Sequence, residues 1–298
     1  MSANSRAVSI VRADTAPLLR RAPARRSSPR PFLKWVGGKS QLLGQLAAWV
    51  PEDYNRYLEP FLGGGAMFFS HLPEQAVLAD ANDELIDCYT AVRDHLDEVM
   101  DELERHRYEK DYYYDVRGWE RTDLPLIERA ARTIFLNKTG FNGLYRVNSK
   151  GLFNVPFGRY SNPTICDRDN LPGCSEALQG VELRHTDFEA MIDDADEGDF
   201  VYLDPPYVPL NATANFTAYT AGGFGPEEQR RLAQALVRAH RRGARFLLSN
   251  ADTPVTRELY ADLLDEPGID LDIVLARRNV NSNAKRRGRV TEVVLFNG

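Results

Sequence analysis

An α/β fold, with a mostly parallel sheet, helices on both faces and an inserted helical segment, is predicted by three features of this 298-residue chain. Short β-branched and aromatic runs end in carboxylates, as in Ala76-Val77-Leu78-Ala79-Asp80 and Phe200-Val201-Tyr202-Leu203-Asp204. A glycine triplet, Gly63-Gly64-Gly65, follows another such run and precedes a helical pattern. Between these units, residues 84–136 carry helical spacing and dense charge. An apolar share of 43% is enough to bury a sizeable core.

The ordered chain is expected to begin near Pro31. Phe32 to Ser40 leads into an amphipathic stretch, Gln41 to Val50, in which Leu42, Leu43, Leu46 and Trp49 share one helical face. Gly38-Lys39-Ser40 matches a phosphate-binding loop only in part, because that motif needs glycine where Leu33 stands; no ATP site is expected. Arg56 to Ala66 reads as strand, glycine turn and helix start, and Ala76 to Asp80 as the next strand. The aromatic cluster Tyr108 and Tyr112-Tyr113-Tyr114 reads as packing or interface rather than catalysis. Leu136 to Tyr160, rich in Asn, Gly, Lys and Arg with interspersed aromatics, has no period and is expected to be a loop or hairpin that binds a ligand. Strands and helices alternate again from Val181: Phe200 to Leu203 is a strand, Pro226 opens a helix through about Arg242, Arg245 to Asn250 is a strand, and Ile273 to Ala276 and Val290 to Phe296 complete the set.

Charge and special residues narrow the function. The net charge of −6 is uneven: residues 1–30 hold seven arginines against Asp14, or +6, which leaves −12 on the remainder. A second basic run comprises Arg277, Arg278, Lys285, Arg286, Arg287 and Arg289. Basic segments in an acidic protein can form a one-sided footprint for phosphates, although a solvated tail is the simpler account of the first arm. Three cysteines, Cys88, Cys166 and Cys174, and five scattered histidines lack zinc-site spacing, so neither metal nor disulfide is expected. Apolar stretches break within about ten residues and none near the start resembles a signal peptide; no membrane span and a cytoplasmic location are expected.

The most informative segment is Asp204-Pro205-Pro206-Tyr207. The strand before it delivers the carboxylate to the sheet's carboxyl edge, where open α/β sheets bind ligands. Two prolines hold the turn extended and remove donors, so the Asp204 carboxylate, the Pro205 carbonyl and the Tyr207 ring become presenting groups. Two acceptors beside a ring suit a flat heterocycle with an exocyclic amino group. The glycine triplet lets a ligand approach the backbone, and Asp80 lies about twenty residues on, placed like an acid that binds ribose hydroxyls. Together they indicate an adenosine-containing cofactor, without separating a dinucleotide from S-adenosylmethionine.

In the order PFLKWVGGK, EPFLGGG, LNKTGFNGLYRVNSKGLFNVPFGRY and DPPYVPLNATANFTAY, the chain resembles the Dam-like DNA adenine-N6 methyltransferases of the α class, over about residues 31–297. The arm before Pro31 falls outside that likeness, and Phe141 stands where close relatives tend to have tyrosine. The resemblance implies a Rossmann-like S-adenosylmethionine-dependent methyltransferase fold with an inserted helical and loop target-recognition domain. Its implied division is a flexible Arg-rich extension (1–30), the first part of the catalytic domain (31–85), a target-recognition domain (86–180) and the second catalytic part (181–298).

The resemblance also implies roles. Trp35, Lys39, Gly63, Gly65 and Asp80 would hold S-adenosylmethionine, with Asp204 near its sulfonium; Asp204, Pro205, Pro206 and Tyr207 would act on the adenine amine of GATC after base flipping. Lys34, Phe141, Asn142, Leu144, Arg146 and Pro156 would face double-stranded DNA, with Arg146 as the guanine reader and Phe141 and Asn142 filling the gap left by the flipped base. No metal is implied, and a monomer is expected. Three rivals stay open: a cytosine-N4 methyltransferase, an enzyme acting on RNA or protein glutamine, and an inactive DNA-binding module.

Overall fold

The computed structural model describes residues 28–207, 223–277 and 289–298. The extension before residue 28, the segment 208–222 after the proline turn, and Arg278, Lys285, Arg286 and Arg287 lie outside the described residues.

Seven strands among the described residues form one sheet in the order β3-β2-β1-β4-β5-β7-β6. They are β1 (Tyr57–Glu59), β2 (Ala76–Asp80), β3 (Glu182–His185), β4 (Phe200–Leu203), β5 (Arg245–Ala251), β6 (Ile269–Arg277) and β7 (Arg289–Asn297). The first five run parallel to one another, with Tyr57 opposite both Ala76 and Phe200, and Leu203 opposite Leu248. β7 runs antiparallel to β5 and β6. The mostly parallel sheet expected from the sequence is therefore present, and the chain turns to opposite sides of β1 toward β2 and β4. In open α/β sheets such a reversal marks the ligand-binding edge, which here is at the carboxyl ends of β1 and β4.

Helices precede and separate the strands: α1 (Leu43–Leu46), α2 (Ala66–His71), α3 (Asp83–Asp94), α4 (Leu96–Arg105), α5 (Lys110–Arg117), α6 (Leu126–Thr139), α7 (Leu171–Leu178), α8 (Phe188–Asp193), α9 (Pro226–Arg241), α10 (Pro254–Leu259) and α11 (Ala261–Leu264). The amphipathic stretch expected as one helix from Gln41 to Val50 is instead α1 followed by a 3-10 turn, Ala47–Trp49. Lys39 directs its carbonyl to the amides of Leu42 and Leu43 at the start of this turn, and Pro51 stops the chain at the end.

The sheet is buried on both sides, which is why its strands read as apolar runs. Successive residues of β4 and β5 alternate between two cores. Phe200, Tyr202 and Leu247 join Leu78, Phe68, Tyr89, Ile134 and Cys174 on one face; Val201, Leu203, Phe246 and Leu248 join Met191, Leu232, Leu236 and Leu263 on the other. Asn82 starts α3 by accepting the Leu85 amide. Segment 86–180 shares the first core with the sheet through α3, α4, α6 and α7. A third core is built from Tyr113 and Val116 of α5, Phe135 and Leu136 of α6, and Tyr145, Val147, Phe153 and Val155. Helix α6 thus faces two cores at once. Tyr113 is buried and Tyr108 stacks on Phe157 at 4.8 Å, so the tyrosine cluster packs as expected.

Leu236, fully buried between α9 and the sheet, is a direct gauge of the second core. Leu236→Ala is expected to lower the unfolding free energy by about 2–5 kcal/mol, with an unchanged urea slope. A loss below about 1 kcal/mol would contradict close packing of α9 on the sheet.

Candidate active site

The carboxyl edge of the sheet collects acids from four strands. Glu59 ends β1, Asp80 ends β2, Asp204 follows β4, and Glu292 lies on β7 opposite Ala251, where β5 ends. Four carboxylates at one edge need partners or protons, since burial disfavours charge.

One ammonium group answers most of that demand. Lys39 Nζ lies 2.7 Å from Asp204 Oδ1 and 3.5 Å from Glu292 Oε2. The same group donates to the Tyr207 hydroxyl and sits 4.4 Å from that ring's centroid. The Tyr207 hydroxyl donates in turn to Glu292 Oε2 at 2.8 Å. Ser249 Oγ approaches Asp204 Oδ1 at 3.5 Å. The Lys39 side chain is only 5% exposed and Asp204 18%. Burial pushes Asp204 up to about 6 against the opposing pull of Lys39, and Glu292 adds to the rise. Asp204 is therefore an anion at neutral pH that stays close to its protonation range.

The proline turn is also held from behind. Gln229, fully buried on α9, donates to the Pro206 carbonyl at 2.8 Å. Its own carbonyl accepts from Tyr260 at 2.5 Å and Asn250 at 3.1 Å. The turn is thereby tied to α9, β5 and the start of α11, and its geometry does not depend on the prolines alone.

Beside it lies the glycine turn between β1 and α2. Gly63 and Gly65 have φ of +48° and +64°, a region that favours glycine. A Cβ on Gly63 would stand 2.7 Å from the Trp35 ring, and one on Gly65 would stand 2.8 Å from the Tyr89 hydroxyl. Asp80 holds the turn, accepting from the Gly63 amide at 3.0 Å and from the Asn82 amide at 2.9 Å. Burial raises Asp80 to about 6, and those backbone donors oppose the rise. Asn82 Nδ2 is buried with no hydrogen-bond partner among the described residues. Glu59, behind both acids, is raised to about 8 by burial, with the Tyr57 hydroxyl bonded to it at 2.8 Å. Burial thus favours the protonated form of Glu59. The glycines let Trp35 and Tyr89 close on the turn, and a carboxylate with remaining lone pairs beside a spare buried amide donor fits the hydroxyls of an adenosine-containing cofactor.

Of the segment expected as a loop or hairpin, Leu136 to Thr139 complete α6 and residues 140–160 form a hairpin-like arm. Isolated bridges pair Gly140 with Phe157 and Val147 with Phe153. Tyr145, Val147, Phe153 and Val155 point inward, while Arg146 and Pro156 are exposed, and Leu144 is half-buried on the third core. Phe141 stands 48% exposed at the base of the arm, with its amide bonded to the Pro156 carbonyl, while the chain reverses between Asn148 and Leu152. Asn142 adopts φ +56°, unusual for a residue with a side chain. Arg146 is held by Asn154, through Nε to Oδ1 at 2.6 Å and Nη2 to the carbonyl at 3.2 Å. Lys34 lies against Gly143, where a Cβ would meet its side chain, with its ammonium 4.2 Å from the Tyr160 ring centroid.

Arm and sheet edge are connected. Asn137, in the last turn of α6, accepts the Lys34 amide at 2.8 Å and donates to the carbonyls of Lys34 (2.7 Å) and Gly143 (3.2 Å). The next residue, Trp35, lies over Gly63 and stacks on Tyr145 at 5.2 Å. Two sets of sequence-selected residues are so brought together: Trp35, Gly63, Gly65 and Asp80 around the glycine turn, and Lys34, Phe141, Asn142, Leu144, Arg146 and Pro156 along the arm. Lys39, grouped with the cofactor residues on sequence grounds, bonds to Asp204, Tyr207 and Glu292. Glu292, Glu59, Gln229 and Asn82 escaped notice. For Glu59 the signal was available, as an acid ending a strand before the glycines; for Glu292 it was an acid within the apolar run Val290 to Phe296.

Comparison with known proteins matches the sequence to one family. The model of the D12 class N6 adenine-specific DNA methyltransferases matches residues 35–270. The chain is 42% identical over 276 residues to the type II methyltransferase M1.LlaDCHI of Lactococcus lactis subsp. cremoris, spanning 90% of this chain and 95% of that one. It is 39% identical over 290 residues to the type II methyltransferase M.MjaIII of Methanocaldococcus jannaschii, spanning 90% and 99%. Identity to the DNA adenine methylase of Escherichia coli K12 is 36% over 270 residues, spanning 89% and 94%. The chain belongs to the D12 class of N6 adenine-specific DNA methyltransferases, enzymes that place a methyl group from S-adenosylmethionine on adenine in DNA.

Proposed function

We propose that this enzyme methylates adenine N6 in the sequence GATC, after flipping the base out of the duplex, with Asp204 and the Pro205 carbonyl as the acceptors for the amine. The observation that carries the reading is the placement of the Asp204 carboxylate at the sheet's carboxyl edge, next to the glycine turn and tied through Trp35 and Lys34 to an exposed arm. The order of the four sequence segments and the likeness to a DNA adenine methylase support GATC.

S-adenosylmethionine, when bound, supplies a methyl group already activated by its sulfonium. What remains is the poor nucleophilicity of an aromatic amine. Asp204 and the Pro205 carbonyl accept its two protons in hydrogen bonds and draw the nitrogen toward tetrahedral geometry, so that its lone pair leaves the ring plane. Positioning and electrostatics carry the rate. Tyr207 lies against the base on the ring face away from Lys39, and Pro206 stiffens the turn. Trp35, Gly63, Gly65 and Asp80 hold the cofactor, Asp80 accepting ribose hydroxyls, and Asp204 also neighbours its charged end.

Flipping costs a few kcal/mol, part of which stacking offsets. Exposed Phe141 and Asn142, with its positive φ, at the base of the arm fill the gap. Leu144, Arg146, Pro156 and Lys34 face bases in the major groove. Segment 86–180 acts as the target-recognition region, with residues 31–85 and 181–298 forming the catalytic one. Asn154 holds the Arg146 guanidinium before DNA arrives, which lowers the ordering cost of a bidentate contact to guanine O6 and N7.

Asp204→Ala is expected to abolish methyl transfer while the protein stays folded and binds DNA, because the lost group acts on the amine. Radiolabelled methyl transfer and a DNA-binding titration check this; undiminished turnover would remove Asp204 from the chemistry.

Arg146→Ala is expected to lose about 1–3 kcal/mol of discrimination at one guanine, with little change in salt dependence. Specificity constants on GATC duplexes and on single-substitution duplexes, at two salt concentrations, decide it. A uniform loss with a salt slope shallower by about one would make Arg146 a phosphate clamp.

A further inference from the structure

Two carboxylates share one buried ammonium at the catalytic turn, and only one of them has a place in the chemistry described so far. Lys39 Nζ reaches Asp204 at 2.7 Å and Glu292 at 3.5 Å. Glu292 also accepts from the Tyr207 hydroxyl at 2.8 Å. Its side chain is 11% exposed, and its nearest charged partner is this same ammonium. The position follows from topology: β7 runs antiparallel to β5, with Glu292 opposite Ala251, so an acid early in β7 arrives at the edge where the parallel strands end.

An Asp204 oxygen held by Lys39 is poorly placed to accept from an amine, since the ammonium is the stronger donor. Release is costly if Lys39 has no other anion, because an unpaired buried ammonium loses both hydration and partner. We propose that Glu292 is a positioning residue for methyl transfer: it gives the Lys39 ammonium a second anion to rest on when Asp204 engages the adenine amine, and it holds the Tyr207 hydroxyl while this happens. The inference rests on the reading of Asp204 given above. It requires no covalent step and no net proton transfer, since Lys39 remains an ammonium bonded to both anions or leaning on one.

Charge bookkeeping at the turn makes the role measurable. Facing Asp204 are Lys39 from the segment before α1, Tyr207 from the same turn, Tyr202 from β4, Ser249 from β5, Glu292 from β7 and Glu59 from β1. Burial is the largest influence on Asp204 and raises it to about 6; Lys39 lowers it, and Glu292 raises it. Neutralising Glu292 removes a like charge, so Asp204 ionises more readily. Removing Lys39 has the opposite sign.

The test is the pH dependence of methyl transfer by the full chain on a GATC duplex with saturating S-adenosylmethionine. Glu292→Gln should shift the acid limb to lower pH by about one unit, even as the plateau rate falls on the order of ten- to a hundredfold because Lys39 now rests on Asp204 alone. Glu292→Asp, which keeps the charge, should keep the acid limb and recover part of the plateau. Lys39→Met should shift the limb upward, and it serves if Glu292→Gln fails to fold. S-adenosylmethionine binding by calorimetry should be unchanged in Glu292→Gln, which separates the effect from loss of cofactor. An acid limb that stays in place or moves upward in Glu292→Gln, a full plateau rate in that variant, or a limb unmoved in Lys39→Met would overturn the proposal. If Asp204→Ala is inactive while Glu292→Gln behaves as wild type, only this inference falls; if Asp204→Ala turns over, the reading beneath it falls as well.

Discussion

The constraint on which the rest of the structure depends is that the Asp204 carboxylate must be kept charged where burial works against charge. An exposed acid would be solvated by water and would have no preferred direction; a fully buried and unpaired one would take up a proton. The protein resolves this with a single ammonium from Lys39, at 2.7 Å, and holds the turn itself through Gln229 and the Pro206 carbonyl. The adjacent acids are managed differently. Asp80 is met by two backbone amides, and burial, raising Glu59 to about 8, favours its protonated form.

Sheet order places these groups together. Reversal of strand order between β1 and β4 puts the glycine turn and the proline turn side by side, although Gly65 and Leu203 are 138 apart in numbering. The intervening chain remains part of the body: α3, α4, α6 and α7 share the sheet's first core, and α6 carries the third core on its other side. Asn137 then ties the arm to Lys34, and Trp35 continues to Gly63. Lys34 and Gly143 are thus linked through Asn137 and Trp35 to the glycine turn, a continuous packed path from the arm to the carboxyl edge of the sheet.

Much of this was legible in the sequence, where local chemistry decides structure. The strand from Phe200 to Leu203 has the expected ends, because an apolar run met a proline turn. Helix α9 begins at Pro226 as expected, where proline suits the first helical turn. The glycine turn was also visible as a Gly triplet, which at φ of +48° and +64° avoids the Cβ contacts that Trp35 and Tyr89 would otherwise meet. Contacts between distant segments were not legible. Lys39 and Asp204 are 165 residues apart in numbering, and nothing near Lys39 announces its partner. Glu292 sits among apolar residues in a strand, and its register with β5, rather than any motif, brings it to the site. Gln229 occupies a helix whose other polar positions are largely solvated, so only its burial distinguishes it.

The central claim is that this edge of the sheet acts on the amine of adenine in one short DNA sequence. Modification-sensitive sequencing of plasmid DNA from a methylase-deficient host expressing the full chain tests it most directly, because base, atom and sequence are read together. The account predicts N6-methyladenine in GATC on both strands. Methylation of cytosine, or of adenine in a different sequence, would contradict it.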